Sequence, residues 1–416
     1  MGSVLRRALP VDTLVVAIDP GKVQHRVWLS TDARGLLVEP MTLPVLRDGL
    51  EALDRLIGRH AGGRAPLIAV EATGALHRPW VRELERRRPG SVRLFAPSET
   101  TAARAQLGTR RFKTDDRDCA ALTYLARQGH GRPVDSDQQG DEQEELLAAV
   151  RFRRGLLIER KVAQQRLHDQ VNALVPGLSA PVGQGRKLEL SGVAGQAVLD
   201  CLVALEGRPA TVRSLQARAQ GRLLDSQARY WADRWRQCLP PPADTAARIR
   251  RLAGSVARWR QLSDDLTAIE QDLTDLLALT DGQVLTTLPG VAAVRAACFS
   301  AFTLPVRRWP SAEHLYSATG LAPGSYQSSS IDRRRGISRQ GLPEHRDALM
   351  SIAWGLSQYC GPFQDREEDL RTRGMRPIQA RVALARHACR LAFRMLLTQQ
   401  PFDEQRYRRR RHQAGR

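Results

Sequence analysis

The chain has 416 residues, of which 42% are hydrophobic, so it is long enough for two or three globular domains with a sizeable core. No apolar run approaches the roughly 18 residues of a membrane span, and the amino terminus lacks an apolar signal core, so we expect a cytoplasmic protein without a membrane partner. With 64 Lys+Arg against 44 Asp+Glu, the net charge of +20 indicates a surface for a phosphate polymer, the alternative being the arginine-rich codon usage of a GC-rich genome.

The first third of the sequence predicts an α/β domain. Three short β-rich runs, Thr13–Asp19, His25–Thr31 and Leu36–Leu43, are separated by turn residues and predict an antiparallel meander. Helix-like and strand-like stretches then alternate up to about Gly129: Leu46–Arg59, Leu67–Glu71, Pro79–Arg88 and Ser91–Phe95, followed by further helices. This order describes a mixed sheet covered by helices, as in the RNase H-like fold, and we assign it to residues 1–133.

A helical middle region is predicted for residues 134–280. After a polar connection, a long helical pattern runs from Glu145 to about Leu174, and only short helices are expected in Val175–Pro242. From Ala246 to Leu279, apolar residues recur at alternating spacings of three and four, which is typical of a coiled-coil seam. The seam consists of Leu252, Val256, Trp259, Leu262, Leu266, Ile269, Leu273 and Leu276. We favour pairing with another chain, the alternative being an amphipathic helix that packs on its own domain.

A mainly helical domain is predicted for residues 281–400, ahead of a basic tail at 401–416. Leu285–Phe302 and Ala348–Leu397 have helical patterns. The Leu-Pro-Gly sequence at 288–290 resembles a helix-hairpin-helix turn, which points backbone N–H groups at a DNA phosphate without reading sequence. A plain connection between helices is the alternative.

Carboxylates form the first candidate site. Two predicted strands run into Asp19 and Glu71, and a helix opens with Asp115 and Asp118, three residues apart and therefore on one face. Oxygen ligands from three segments suit a hard cation, Mg²⁺ or Mn²⁺, and a pair of such ions clamps the attacking and leaving oxygens of a phosphoryl transfer. Taken singly, each acidic residue also fits a turn or a helix cap.

Serine and arginine form the second candidate site. A Ser-rich stretch that contains Ser328 and Ser329 precedes a basic run, and a serine hydroxyl that attacks a phosphodiester needs positive groups to hold the phosphate. The alternative is a solvated loop that contacts phosphates without reacting. The basic residues assigned to nucleic-acid binding are Lys113, Arg333, Arg334, Arg335 and Arg339.

Five segments, in order, resemble the motifs of the bridge-RNA-guided insertion-sequence transposases. They are Val16-Ala17-Ile18-Asp19, Val70-Glu71-Ala72-Thr73-Gly74, Phe112-Lys113-Thr114-Asp115 with Asp118, Thr287-Leu288-Pro289-Gly290-Val291, and Gly320-Leu321-Ala322-Pro323 ahead of Gln327-Ser328. The resemblance covers roughly residues 13–130 and 280–400. That family joins a RuvC-like DEDD domain to a serine-bearing transposase domain through a helical coiled coil.

The resemblance implies roles for particular residues. Asp19, Glu71, Asp115 and Asp118 match the metal-binding tetrad, and Ser328 matches the nucleophile. The chain departs from the family in having Ser329 and Ser330 where glycine usually follows the serine, which leaves Ser329 as the alternative nucleophile. The middle region is also longer than the family pattern.

The resemblance further implies a nucleoid-associated transposase that works as a homo-oligomer, a dimer or a tetramer, on double-stranded DNA. The acidic domain of one subunit would activate the serine of another, with a transient phosphoserine link to DNA, and a structured guide RNA would supply sequence specificity. Two alternatives stay open: a metal-dependent Holliday-junction resolvase-like nuclease without a covalent intermediate, and a non-catalytic nucleic-acid-binding protein.

Overall fold

The computed structural model of the chain describes residues 9–108, 114–134, 141–179, 185–328 and 331–414. It divides into two compact units, Met1–Gly140 and Asp141–Arg416. Among the described residues, no helix has both the length and the apolar character needed to cross a membrane. All six cysteines are free thiols.

The first unit is a mixed sheet flanked by helices. Its elements are β1 (Val15–Pro20), β2 (Gln24–Thr31), β3 (Gly35–Leu36), β4 (Met41–Pro44), α1 (Arg47–His60), β5 (Leu67–Glu71), α2 (Arg78–Arg87), β6 (Val92–Phe95), α3 (Pro97–Gln106), α4 (Asp115–Arg127) and β7 (Arg132–Pro133). The strand order is β3-β2-β1-β5-β6-β7, and β4 also pairs with β2. Strand β1 is antiparallel to β2 and parallel to β5, which is itself parallel to β6.

The predicted meander and the alternation that follows it are both present. The third predicted run is split into β3 and β4, both of which pair with β2. Pro40 lies in the break, where its missing N–H prevents a continuous ladder. The expected α/β RNase H-like fold of this unit is therefore confirmed.

Side chains that alternate along the central strands divide the core of this unit into two layers. Val16 and Ile18 of β1 pack with α1 and α2 on one face. Ala17 of β1 and Ala69 of β5 pack with α3 and α4 on the other. Because successive residues of a strand point to opposite faces, this alternation fixes which side chains at the strand ends face α4.

The second unit is mainly helical. Its elements are α5 (Asp141–Leu174), α6 (Val193–Ala204), α7 (Val212–Arg218), α8 (Asp225–Arg236), α9 (Thr245–Ala278), a 3-10 helix (Asp281–Thr287), α10 (Ala293–Thr303), a short 3-10 helix (Val306–Arg308), α11 (Ala312–Ala318), β8 (Pro323–Ser328), β9 (Ile331–Ile337), α12 (Pro343–Tyr359), α13 (Gly361–Thr372), α14 (Pro377–Thr398) and α15 (Glu404–Ala414). The predicted helical middle and mainly α carboxy-terminal region are confirmed. The last of these helices occupies most of the segment expected to be a basic tail, and Tyr407 of α15 stacks on Phe363 with ring centroids 5.7 Å apart.

The apolar seam of α9 is buried within the chain itself. Its first part packs with the end of α5 and with α6 and α8, its middle packs on Leu156 of α5, and its last part packs near Leu146, at the start of α5. The two long helices therefore lie side by side and antiparallel. The periodicity that suggested pairing with a second chain is accounted for by this pairing inside one chain.

The segment between the two long helices folds as a small helical subdomain. Leu199 of α6, Leu215 of α7 and Trp235 of α8 are buried together with the seam residue Leu252 of α9. Helix α7 has only seven residues, too few to show a clear period in the sequence. The subdomain closes one end of the α5–α9 pair.

A buried histidine lies in the carboxy-terminal core. His345 of α12 is 2% exposed, its Nε2 lies 3.0 Å from Thr303 Oγ1, and the rings of Phe299, Phe302 and Trp309 surround it. Burial, with a smaller effect from a nearby arginine, lowers the pKa of His345 from 6.5 to about 3. The native state therefore holds this imidazole neutral at every pH near neutrality.

We predict that His345 makes the protein sensitive to acid. Because its folded pKa lies below its unfolded pKa of 6.5, its stabilising contribution is complete above 6.5 and is lost as the pH falls towards 3. Between about pH 7 and about pH 5 the wild type should lose about 2 kcal/mol more unfolding free energy than His345→Gln, which keeps a partner for Thr303 but does not titrate. Urea denaturation of both proteins across this range measures the difference, and parallel pH profiles would contradict the assignment.

Candidate active site

Two of the predicted acidic residues lie beside each other at one end of the sheet. The parallel register pairs Ala17 with Ala69 and Ile18 with Val70, so the next position places Asp19 beside Glu71. Both carboxylates alternate onto the face that carries Ala17 and Ala69, which is the face covered by α3 and α4. The sheet alone thus supplies two neighbouring carboxylates under α4.

A tight turn follows Asp19 and is held by a histidine. Gly21 N donates to His25 Nδ1 at 3.2 Å, and a Cβ added to Gly21 would collide with the carbonyl oxygen of Gln24. Burial lowers the pKa of His25 to about 4, so the ring is neutral and able to accept this bond. Its edge meets the face of Trp80 at a centroid distance of 4.5 Å. The sequence analysis missed His25, whose only signal was its place directly after the Pro-Gly turn.

Glu71 ends β5 and is held by its own loop. The side chain is 8% exposed, and its Oε1 accepts a hydrogen bond from Thr73 Oγ1 at 2.7 Å. The chain turns away at Gly74, whose φ of +52° is in the left-handed region that favours glycine. The Glu-Ala-Thr-Gly sequence therefore has a local physical role: it ends the strand and fixes the carboxylate.

The first turn of α4 carries the other two predicted carboxylates. Thr114 is the N-cap, since its side chain accepts from Arg117 N, and the acidic residues that follow favour the positive end of the helix dipole. Asp115 is exposed, whereas Asp118 is 1% exposed. Because the capping position is already taken by Thr114, capping does not account for either carboxylate.

Cys119 locates this turn over the strand that carries Asp19. Its Sγ lies 3.9 Å from Ala17 O of β1 and 3.5 Å from Arg26 O of β2. Burial raises the pKa of the Cys119 thiol, and the negative charge of Asp19 acts in the same direction, as a nearby carboxylate should. Asp118, the neighbour of Cys119 in the helix, is thereby brought to the same end of the sheet.

A buried ion pair joins Asp118 to Arg104 of α3. The Nη1 atom of Arg104 lies 2.8 Å from Asp118 Oδ1, and the side chains are 14% and 2% exposed. A carboxylate this deeply buried is costly unless positive charge lies beside it. The position of Asp118 therefore favours a cation, and in this structure a guanidinium fulfils that role. Sequence reasoning missed Arg104, which stands in an unremarkable polar stretch.

Asp116 belongs to the same acidic turn but has a different role. It accepts two hydrogen bonds from Arg26, at 2.6 and 3.0 Å, and one from Trp28 Nε1 at 2.9 Å. The hydrogen bond from Arg26 lowers the pKa of Asp116, with a further contribution from Trp28. Asp116 thus docks α4 on β2, and its side chain is already bonded to Arg26 and Trp28.

Among the residues that the structure describes, no three His, Cys, Asp or Glu side chains are close enough together to hold a metal ion. In this structure Glu71 is bonded to Thr73, Asp118 is paired with Arg104, and Asp115 is exposed. The donor set itself consists of carboxylate oxygens, which are the ligands that hard divalent cations prefer. The chemistry of the four residues and the buried charge of Asp118 fit such an ion.

The predicted serine lies at the tip of a β-hairpin in the second unit. Strands β8 and β9 are antiparallel, and Ser328, the last residue of β8, pairs with Ile331. In the same register Arg333, Arg334 and Arg335 of β9 stand opposite 324–326 of β8. Ser329 and Lys113 lie outside the described residues.

Arg339 follows the hairpin and is exposed. It adopts a φ of +57°, and its backbone N donates to Gly320 O at 2.9 Å. The four acidic residues belong to the first compact unit and the hairpin to the second.

The Leu-Pro-Gly turn packs tightly on α12. A 3-10 helix, rather than an α-helix, leads into it, and Gly290 adopts a φ of +75°. A Cβ added to Gly290 would lie 2.5 Å from Gly355 O, and one added to Gly355 would collide with Gly290 O. Arg295 bonds to Gly290 O while its guanidinium lies 4.9 Å from the ring centre of Trp354. Glycine is therefore required here by packing inside the chain.

Two family models match the chain. One, described as the transposase IS116/IS110/IS902 family, matches residues 282–367, and the other, a DEDD transposase domain of the IS110 type, matches residues 16–176. Together they cover more than half of the sequence, in the expected order. The chain belongs to the IS110 family of transposases. No curated protein matches it.

This IS110-family transposase is a DNA transposase or recombinase, and DNA is its substrate. The four acidic residues fall inside the DEDD match and Ser328 falls inside the second match. A DEDD-type domain generally implies use of a divalent metal. Residues 177–281, which hold the helical subdomain and α9, lie outside both matches.

We predict opposite effects of one substitution at two helical glycines of this transposase. Gly355→Ala should lower the unfolding free energy by about 1–3 kcal/mol, because the added methyl group meets the Gly290 carbonyl. Gly254→Ala, in α9 where an added Cβ meets nothing within 4 Å, should raise it by up to about 1 kcal/mol through helix propensity. Urea unfolding midpoints test both predictions. An unchanged midpoint for Gly355→Ala would show that the Leu-Pro-Gly turn at Gly290 shifts to accommodate the methyl group at little energetic cost.

Proposed function

We propose that this transposase cuts and rejoins DNA strands with Ser328 as nucleophile and with a divalent-metal site formed by Asp19, Glu71, Asp115 and Asp118. The observation that carries the proposal is the convergence of two strand ends and one helix start at a single end of the sheet, with Asp19 beside Glu71 and the first turn of α4 above them. The proposed division of labour is 1–133 for the metal site, 134–280 for the helical connection and dimerisation, 281–400 for the serine domain and 401–416 for a basic tail.

Mg²⁺ or Mn²⁺ is the proposed ion, held by the four carboxylates. Bound there, it would supply charge neutralisation at the scissile phosphate. Two of the proposed metal ligands are held in place by the protein itself. Thr73 orients Glu71, and the turn held by His25 fixes the end of β1, which carries Asp19. The ion pair of Asp118 with Arg104 is in keeping with the assignment, because a deeply buried carboxylate needs positive charge beside it.

The proposed serine reaction needs only the hydroxyl of Ser328, the DNA phosphate and a carboxylate that transfers the proton. The Ser328 oxygen would form a bond to phosphorus, and its proton would pass to a carboxylate of the acidic set. As the bond from phosphorus to the leaving sugar oxygen breaks, that proton would be delivered to the sugar oxygen, which leaves as a hydroxyl. A hydroxyl of the exchanged strand then attacks the phosphoserine and releases the serine. Arg333, Arg334, Arg335 and Arg339 would hold the phosphate, as Lys113 would near the acidic set. Ser329 is the alternative nucleophile.

The proposed assembly is a homo-oligomer, a dimer or a tetramer, in which the acidic unit of one chain serves the serine of another. The seam of α9 is already buried, so a second chain needs another surface. Helix α5 offers one, because its outer side exposes Phe152 (61%), Ile158 (58%) and Val162 (44%). Exposed apolar residues spaced along one helix favour pairing with a second copy.

A structured guide RNA is the proposed source of target specificity. The net charge of +20 and the resemblance to bridge-RNA-guided transposases support this partner. In such a system base pairing reads the sequence and the protein contacts the backbone.

We predict that metal affinity depends on Asp19 and Asp118 and not on Asp116, which lies in the same helical turn as Asp118. In calorimetric titrations with Mn²⁺, Asp19→Asn and Asp118→Asn should each bind at least about tenfold more weakly than the wild type, since loss of even outer partners of a metal site typically costs about 10–100-fold. Asp116→Asn, in the same helical turn but bonded to Arg26 and Trp28, should bind within about twofold of the wild type. Thermal melting of each variant controls for folding, and equal affinities of all three variants would refute the metal assignment.

We predict a covalent protein–DNA intermediate that requires both groups. Wild-type protein, incubated with Mg²⁺, substrate DNA and RNA transcribed from the flanking non-coding segment, should give a shifted band on a denaturing gel. Ser328→Ala and Asp19→Ala should lose the band, and Ser329→Ala should keep it. The reverse result for the two serines would make Ser329 the nucleophile.

Metal-dependent cleavage that persists in a Ser328→Ala/Ser329→Ala double variant would contradict the serine mechanism. It would identify a resolvase-like nuclease that acts through the acidic set alone. A band of equal intensity without RNA would argue against RNA guidance while leaving the serine assignment intact.

A further inference from the structure

Helix α9 is divided into a basic half and an acidic half. The first half carries five arginines and no acidic residue: Arg248, Arg250, Arg251, Arg258 and Arg260. The second half carries five acidic residues and no basic one: Asp264, Asp265, Glu270, Asp272 and Asp275. A solvated surface helix usually mixes the two signs along its length to form local pairs, so this separation calls for a specific use of the basic half.

Pairing with α5 increases the positive charge of that half. Because the two helices are antiparallel, the basic half of α9 lies alongside the second half of α5, which contributes Arg160, Lys161 and Arg166 against Glu159 and Asp169. At the acidic end of α9, the positive charge of Arg153 of α5 is neutralised by an ion pair with Glu270 at 2.6 Å. At the basic end three arginines also have carboxylate partners, Arg248 with Asp244, Arg258 with Glu159 and Arg260 with Asp200. The net positive charge of the helix pair still lies at this end, because the basic half of α9 carries no acidic residue of its own.

A groove opens between the two helices at this basic end. Its volume is about 390 Å³, and its lining includes Arg166 and Gln170 from α5 and Arg251, Gly254 and Arg258 from α9. Gly254 faces open space in this groove, because a Cβ added to it would meet no heavy atom within 4 Å. Small residues at the crossing of two long helices thus leave room between three arginines.

The arginines of the groove are available to a ligand. Within the described residues, the side chains of Arg166 and Arg251 make no hydrogen bond or ion pair, although the charge of Arg251 acts on Asp244. Arg258 bonds to Glu159 at 3.0 Å, but both side chains are more than half exposed, so the pair is weak and exchangeable. The side-chain oxygen of Gln170 is buried without a hydrogen-bond partner in the described part of the chain. The groove therefore combines cationic donors with a polar atom that lacks a partner.

We propose that this groove binds the sugar-phosphate backbone of a nucleic acid strand, as a site separate from the acidic set and from the serine hairpin. Guanidinium groups bind phosphate in a bidentate manner, and three of them line this groove. The site does not rest on the proposed chemistry, and most of its lining comes from residues outside both family models.

Fluorescence anisotropy on the full-length protein tests the groove. Duplex DNA, single-stranded DNA and RNA of one sequence serve as separate probes, in EDTA so that metal-dependent chemistry does not contribute. Gly254→Glu places a carboxylate into the groove at a position with room for it, and we expect its Kd to rise at least about tenfold for the bound probe. Gly58→Glu in α1 is the matched control, with the same charge change at another open helical glycine, and should change Kd less than about twofold.

Salt dependence supplies a second readout. Loss of two phosphate contacts in Arg166→Gln/Arg251→Gln should lower the slope of log Kd against log salt by about two. The probe with the largest change identifies the bound strand as DNA or RNA, and either assignment supports the proposal. Unchanged Kd and slope in both groove variants, with wild-type melting temperatures, would overturn it. Competition by polyglutamate as strong as by nucleic acid would also overturn it, in favour of an acidic protein partner.

Discussion

The parallel pairing of β1 with β5 is the constraint on which the candidate active site depends. A parallel register places the carboxyl ends of both strands at the same end of the sheet, and the two-residue period of a strand decides which face each side chain takes. Asp19 and Glu71 are neighbours for these two reasons together. A one-residue slip of either strand would move one carboxylate to the opposite face, among the apolar contacts of α1 and α2. The hydrophobic alternation of the core thus specifies the position of the polar site.

The first turn of helix α4 adds carboxylates with different roles to the candidate site: one anchors the helix, and another faces the interior. Asp116 bonds to Arg26 and Trp28 and so anchors the helix laterally on β2. Cys119 packs against the backbone of β1 and β2 and sets the height of the helix above the sheet. With those two contacts fixed, helical geometry leaves Asp118 directed into the interior near Arg104. Burial then makes the neighbourhood of Asp118 favourable for positive charge.

Much of this arrangement could be read from the sequence, since the signals are local. Strand β5 coincides with its predicted bounds, Leu67–Glu71, and the acidic helix begins where Thr114 provides a cap. What sequence reasoning missed are contacts between distant segments: the pairing of Arg104 with Asp118 and the bracing of the turn after Asp19 by His25. Neither residue type nor spacing marks these partners, because they are fixed only when α3, α4 and the sheet are packed together.

The apolar seam of α9 shows a second limit of prediction from sequence. A spacing of three and four residues reports that one side of a helix is covered, but not which helix covers it. Here α5 covers it within the same chain, and the long segment between the two helices supplies the subdomain that closes the pair. The intrachain pairing has two consequences for how this transposase contacts other molecules. It leaves Phe152 and Ile158 of α5 exposed, and it places the arginine-rich first half of α9 beside Arg160 and Arg166 of α5. Association between chains and contact with nucleic acid can then take place on different parts of one helix pair.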